Sequence, residues 1–360
     1  MSYLKFRKAF KKNLLIVLFT SLIFSISCTD KDEYSDKAFK NLEPVSLNIH
    51  KSKLLVPSGF DYTESGLLTI ESKLDSNQFK IFASGENEQI LSFGKSGSGP
   101  GEFSGMIQQP VSTTLKSNSQ FYDWSKKRLS VYDLSLLKDG MVQRSIEKEY
   151  VLPPELMLAQ YSAFINDSTV VSSGGLDKGY ISFTDVNTDE SNYFDPIDFD
   201  LSSYDYREKS YLYESFFGVN NKEELIAVAS KFMPEMHIIN YDGEIIAKKE
   251  MSSPNNIDLN KLKDIENMKI HFYGLSVSEE YIFATYVGKS VTEMDEIIKN
   301  NEFQNVDLLK LYKFDWQGNL IESYQLTGGL FPYLSIDDVN SRLYSMNSIS
   351  DSTEIVYFNL

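Results

Sequence analysis

Phe93-Gly94-Lys95-Ser96-Gly97-Ser98-Gly99-Pro100-Gly101-Glu102-Phe103 is the stretch on which the fold turns. Four glycines and one proline stand between two phenylalanines. Glycine reaches φ > 0 where other residues do not, and proline fixes φ at about −65°, so this is a shaped loop and not a loose linker. Glu88-Gln89-Ile90-Leu91-Ser92-Phe93 leads into it as a strand-like run. The arrangement fits a link from the outer strand of one propeller blade to the inner strand of the next. Gly97, Gly99, Pro100, Gly101 and Glu102 are therefore expected to have a structural role.

From Pro44 onward, short strands alternate with turn residues, and long 3.6-residue periodicities are few. Units of about 50 residues recur by type of segment rather than by identity. The first has strands near Leu67–Glu71, Gln78–Ala83 and Gln89–Phe93. The second runs from about Ser112 to Tyr150, with Gln120–Trp124 and Arg128–Leu134 on either side of a Ser-Lys-Lys turn. The third spans about Leu156–Phe194. The fourth spans about Leu212–Met251 and turns at Tyr241-Asp242-Gly243-Glu244. The fifth starts near His271 and carries a helix-like insertion at Thr292–Phe303. Met294, Ile297 and Ile298 share a face of that insertion, for packing on a blade or docking a partner.

The sixth unit has Tyr333–Ile336, Arg342–Met346 and Glu354–Asn359, and is one strand short. Pro44–Ile49, with Val45, Leu47 and Ile49 alternating, supplies a spare. Pairing it with the last blade would close the ring and remove an open sheet edge. The expected fold is all-β, a six-bladed β-propeller over residues 44–360. A seventh blade or two packed sandwiches are the alternatives.

Composition agrees. Hydrophobic residues make up 42%, and 22 Tyr and 24 Phe favour strands. The formal charge is −16, and removal of residues 1–27 takes away Lys5, Arg7, Lys8, Lys11 and Lys12 and no acid, giving −21. Such a surface repels phosphate backbones, so no nucleic-acid partner is expected. The single cysteine, Cys28, excludes an intrachain disulfide and a CxxC zinc site.

Residues 1–27 read as a lipoprotein signal peptide. Lys5 to Lys12 form a basic region, and Leu14 to Ile26 an apolar one too short to span a bilayer comfortably. The segment ends Ser25-Ile26-Ser27-Cys28, which resembles a bacterial lipobox, although Ser25 replaces the usual aliphatic residue. Cys28 is the expected site of lipid (palmitate) attachment, and residues 28–43 the expected acidic, flexible tether. Lys31, Asp32 and Glu33 resemble the surface-export signal of lipoproteins in Bacteroides-type bacteria. The expected address is the outer membrane, lipid-anchored and at the cell surface, with the periplasmic face as the alternative.

With these residues in hand, the chain resembles the six-bladed TolB-like β-propeller lipoproteins of Bacteroides-type bacteria. The resemblance rests on the Gly97–Phe103 loop, the Tyr122-Asp123-Trp124 to Val131-Tyr132-Asp133 hairpin, the Leu311–Asn319 stretch, and the Arg342–Ser345 and Val356–Tyr357 strands. The glycine loop is also similar to that of NHL-type propellers. The resemblance implies a propeller and an envelope location, and supplies no catalytic set.

Gly94-Lys95-Ser96 and Gly288-Lys289-Ser290 lack the earlier glycine of a P-loop, since Gln89 and Phe283 hold those positions. His50, His237 and His271 are isolated, so no metal site is expected. Asp185-Val186-Asn187-Thr188-Asp189 begins like a calcium loop, but Glu190 and Pro196 stand where glycine and the closing Glu belong. It reads as a polar hairpin turn. No nucleophile elbow or carboxylate pair appears, so no catalytic residue is assigned.

The acidic, aromatic stretch from Asp195 to Tyr213 reads as a surface loop over one channel mouth. Its Tyr204, Tyr206, Arg207 and Tyr211 are the candidate ligand-binding residues. The sequence thus points to a binding module without a cofactor, taking an envelope protein, a peptide or a glycan. The alternative is a metal-dependent hydrolase or lyase, with calcium held in the channel by acids from several blades.

Overall fold

The structure is a computed structural model describing residues 39–47, 57–71, 77–83, 88–99, 101–104, 106–197, 200–251, 267–300, 309–347 and 354–360. Cys28, Lys31, Asp32, Glu33, His50 and Pro100 lie outside the described residues.

Two short strands come first, β1 (Lys40–Leu42) and β2 (Val45–Ser46). Blade 1 is β3 (Pro57–Thr63), β4 (Gly66–Glu71), β5 (Phe79–Phe82) and β6 (Gln89–Phe93). Blade 2 contributes β7 (Ser112–Thr113), β8 (Asn118–Asp123), β9 (Arg128–Asp133), a short helix α1 (Leu134–Lys138) and β10 (Ile146–Val151). Blade 3 is β11 (Tyr161–Phe164), β12 (Thr169–Ser173), β13 (Ile181–Asp185) and β14 (Ser191–Phe194). Helix α2 (Tyr206–Leu212) leads to blade 4: β15 (Ser215–Asn220), β16 (Leu225–Ser230), β17 (Glu235–Asn240) and β18 (Ile245–Glu250). Blade 5 is β19 (Lys269–Val277), β20 (Tyr281–Ser290), helix α3 (Val291–Lys299), β21 (Leu309–Asp315) and β22 (Leu320–Leu326). Blade 6 is β23 (Leu334–Asp337), β24 (Arg342–Asn347) and β25 (Glu354–Asn359). These strands form six sheets, the six-bladed propeller the sequence leads one to expect.

Burial follows position in the blade. β4 is buried on both faces along its length, whereas the outer strand β10 alternates half-buried and exposed. A middle strand has a neighbouring blade against each face and an outer strand has less cover, so β10 shows a clear period of two and β4 does not. Aromatic and aliphatic clusters fill the seams. Phe79, Phe93, Phe103, Phe121 and Tyr132 join blades 1 and 2, and Tyr122, Leu129, Phe164 and Val170 join blades 2 and 3. Phe60, Phe82, Tyr344 and Ile355 join blades 6 and 1.

The ring closes as expected. β2 runs antiparallel to β25, with Val45 opposite Tyr357 and Ser46 opposite Val356. The Leu47 N–H extends the pairing to Ile355 O at 3.0 Å. β1, in the stretch read as tether, adds a parallel fifth strand to β22. The insertion of the fifth unit is helical as read, over Val291–Lys299, with a reciprocal Ser290–Glu293 cap. Met294 and Ile297 are buried, while Ile298 is 38% exposed.

Blade 2 departs from the regular pattern. Its incoming chain pairs with β8 at first, through Gln108 N–H to Tyr122 O (3.1 Å) and Trp124 N–H to Met106 O (2.9 Å). After Pro110, which lacks a donor, the chain leaves the blade. β7 then lies parallel to β15 of blade 4, with Ser112 opposite Gly218 and Thr113 opposite Val219. Ser112 Oγ accepts from Val277 N–H of blade 5 at 2.9 Å. A Cβ on Gly218 would come within 2.6 Å of Leu275 and Val277, so only glycine allows these inner strands their separation.

Two glutamines bridge the seams of blade 2. Gln109 accepts from Phe60 N–H (3.0 Å) and donates to Phe60 O (2.6 Å). Gln120 does the same to Phe164 of blade 3, at 2.6 and 3.0 Å. A side-chain amide has the donor and acceptor of a peptide group, so each glutamine stands in for a strand neighbour.

Candidate functional site

Each inner strand runs from a blade-to-blade connection to the first hairpin turn of its blade, so the ring has a connection end and a turn end. At the connection end Gln109, Tyr161, Phe216, Leu275 and Tyr333 surround a cavity of only about 30 Å³. Burial pushes the Tyr161 and Tyr273 phenols up, the latter to about 12.

The turn end is different. The turns bond to one another across blades: Glu64 N–H to Lys116 O (3.3 Å), Asn221 N–H to the Thr114 hydroxyl (3.0 Å), and Asn220 Nδ2 to Glu279 O (3.1 Å). They enclose a cavity of about 1130 Å³. Its polar lining includes Glu64, Lys116, Ser278, Glu280, Asp337 and Asp338, and β1 completes the wall through Lys40 and Leu42. Lys313 packs 3.9 Å over the Tyr281 ring and pairs with Glu322, which also bonds Lys40.

Charge is tightly arranged beneath. The Ser335 hydroxyl donates to Asp61 Oδ1 at 2.7 Å and accepts from Tyr62 N–H at 2.8 Å. Burial raises the Asp61 carboxyl, against the opposing pull of Lys116 and Ser335. Asp338, exposed at the rim, is also raised, chiefly by desolvation, with Lys116 and the Ser278 hydroxyl pulling it back. Lys116 Nζ itself is buried and makes no hydrogen bond among the described residues.

The residues singled out in the sequence lie elsewhere. The stretch read as a loop folds as α2 from Tyr206, because Asp205 and Glu208 form a reciprocal cap on its first turn. α2 precedes β15, at the connection end. The Tyr206 hydroxyl donates to Gly175 O at 2.7 Å. Arg207 donates to the Tyr211 hydroxyl at 3.3 Å and lies over that ring. Tyr204 and Tyr211 pack partly buried against the core. The structure brings Arg207 and Tyr211 together and turns Tyr206 toward blade 3.

The glycine loop bonds to itself and to blade 2. Gly97 has φ +157°, and a Cβ there would sit 2.1 Å from Glu102 Oε2. That carboxylate accepts from Gly99 N–H at 2.8 Å, and Gly97 N–H bonds Phe103 O at 3.0 Å. Gly101 is also left-handed, with φ +69°. Lys126 and Arg128 both donate to the Glu102 carbonyl. The amides that could cradle an anion are thus taken by the loop's own carboxylate and carbonyl.

His237 is fully buried and its imidazole is lowered to about 4, by desolvation and then by Lys248. His271 is lowered to about 4 by burial and then Lys269, and contacts the Tyr286 hydroxyl at 3.0 Å. Asp185 accepts from Asn187 and Thr188 N–H in a closed turn. Among the described residues, no three His, Cys, Asp or Glu stand close enough to hold a metal ion.

Reasoning from sequence did not reach Glu64, Lys116, Glu280 and Asp338. The available signal was the recurrence of a charged residue in the first turn of successive units.

Residues 38–331 match the profile of the TolB-like 6-blade propeller-like family. No curated protein matches the chain. Among solved structures, a candidate exported protein of Bacteroides fragilis is similar at 16% identity and TM-score 0.52, covering 88% of this chain and 94% of its own. A DUF4221-family protein of Bacteroides vulgatus is similar at 12% identity and TM-score 0.54, covering 89% and 96%. At these identities the likeness carries the fold alone.

Proposed function

Because this chain belongs to the TolB-like six-blade propeller family, we propose that it is a binding module of the bacterial envelope, with its ligand seat at the turn end of the ring. The observation that carries this reading is the cavity of about 1130 Å³, walled by turns of several blades and by β1. A rigid ring that presents polar groups from separate blades around one mouth is suited to recognition. Arg207 and Tyr211 bond each other, which favours the cavity over α2 as the seat.

The lipid on Cys28 supplies the anchor, supported by the basic and apolar segments before it. Lys31, Asp32 and Glu33 support display on the outer face, and a similar Bacteroides fragilis protein is itself described as a candidate for export. Binding is favoured over metal-dependent hydrolysis because Lys116 already offsets carboxylate charge at the cavity.

Two measurements test this. Cells fed labelled palmitate should label the protein, and Cys28→Ala should abolish the label; labelling that survives the substitution refutes the anchor. A photoreactive residue at Val339, 91% exposed on the cavity rim, should capture envelope material on intact cells, while one at Tyr206 should not. Capture at Tyr206 alone would move the seat to the connection end.

A further inference from the structure

The turn-end cavity holds a donor and an acceptor that do not bond each other. Lys116 lines the cavity, and its Nζ is tucked under the surface with no hydrogen-bond acceptor among the described residues. Its charge acts on Asp61 below and on Asp338, which stands exposed at the rim. The ammonium therefore has no hydrogen bond within the fold to give up on meeting a ligand.

The charges on both sides select what can enter. An anion seated there meets Asp338 and its neighbours Asp337 and Glu280. A cation meets Lys116, and Lys40 and Lys313 line the same cavity. Both losses are avoided by a neutral group that accepts and donates at once, and a hydroxyl does so at a single atom where an amide needs two. Two adjacent hydroxyls offer an acceptor to the one and a donor to the other.

Resting on the cavity as ligand seat, we propose that it takes a neutral oligosaccharide, one vicinal diol accepting from Lys116 Nζ and donating to the Asp338 carboxylate. The rest of the lining suits this chemistry. Thr63, Thr114, Ser278 and Ser341 add short hydroxyl-bearing side chains. The cavity exceeds the usual drug-sized pocket of about 300–1,000 Å³ and has room for more than one sugar ring. A peptide is less well served. It would anchor in apolar pockets, and of the apolar wall residues Phe283, Tyr324 and Ile336 are buried, Leu42, Tyr62, Tyr281 and Leu360 are half-buried, and Val339 alone is exposed.

The test is an array of neutral and uronic-acid oligosaccharides probed with the full-length protein, beside a random heptapeptide library. Calorimetry then follows each retained probe. A neutral oligosaccharide should bind, and Lys116→Met and Asp338→Asn should each weaken it about tenfold. Glu280→Gln, at an exposed position that leaves the fold intact, should weaken it about threefold. Arg207→Ala should leave binding unchanged. Retention of uronic-acid probes alone, or neutral binding indifferent to Lys116→Met and Glu280→Gln in folded protein, overturns the proposal. If peptides bind instead and respond to these variants, the saccharide inference falls and the cavity reading stands. If the variants affect no probe at all, both fall.

Discussion

At the connection end of the ring, Gln109, Tyr161, Phe216 and Tyr333 close around about 30 Å³; at the turn end, Glu64, Lys116, Glu280 and Asp338 stand around about 1130 Å³. The same inner strands supply both ends. The difference comes from the chain entering β7, which leaves blade 2 after Pro110 and crosses to Gly218 and Val219 of blade 4, so that Pro110, Val111 and Ser112 fill the small cavity's wall. One end therefore buries rings and satisfied amides. The other keeps charged groups that the fold would be more stable without. Sites are commonly held at some expense to stability, and here that expense is confined to one mouth.

Acid should separate the two kinds of buried group with the largest effect. Burial lowers the imidazoles of His237 and His271 to about 4 in the fold, below the ordinary 6.5. The unfolded chain takes up these protons first, so stability falls as pH drops from 6.5 toward 4. At pH 5 the loss is about 2 kcal/mol for each histidine, read as a falling denaturation midpoint. His237→Phe should remove its share, and a midpoint flat across that window would contradict the burial described.

Crowding the axis is next. Gly218→Ala forces a methyl group against Leu275 and Val277 and should cost about 3 kcal/mol in urea unfolding. A neutral result would mean that the inner strands can separate freely. Gln109→Leu should cost about 2 kcal/mol, because the buried Phe60 N–H and C=O both lose their partner.

The smallest effect has the opposite sign and belongs to the open end. Burial raises the Asp61 carboxyl above its ordinary 3.8, so its charge opposes folding at neutral pH even with Lys116 and Ser335 nearby. Asp61→Asn should raise the melting temperature by about 2 °C at pH 7. The gain should vanish below the ordinary value, where the carboxyl is protonated folded or unfolded. Destabilisation at pH 7 would instead make Asp61 part of the scaffold.

Most of the fold was legible because its signals are local. Asn240 caps the turn before Gly243, and Asp315 does the same before Gly318, within four residues each. The alternation of Val45 and Leu47 announced a strand in need of a partner. The crossing of β7 was not legible, since Ser112 and Thr113 choose their partner by what blade 4 leaves open more than 100 residues later. The helix at Tyr206 was written in its Asp205–Glu208 cap, but the density of tyrosines drew attention from it. The cavity escaped because Glu64, Lys116, Glu280 and Asp338 come from four different blades, related by their place in the first turn of each unit and by no fixed spacing.

The closing pair of β2 with β25 also orders events in time. A ribosome makes Val45 early and Tyr357 late, about 310 residues apart along the chain. Blades 1 to 5 can collapse as they are made, whereas β2 has no sheet to join until blade 6 exists. Until then its backbone donors and acceptors are free to pair with another chain. Ring closure is thus the longest-range step in folding and the one most exposed to crowding by other nascent chains.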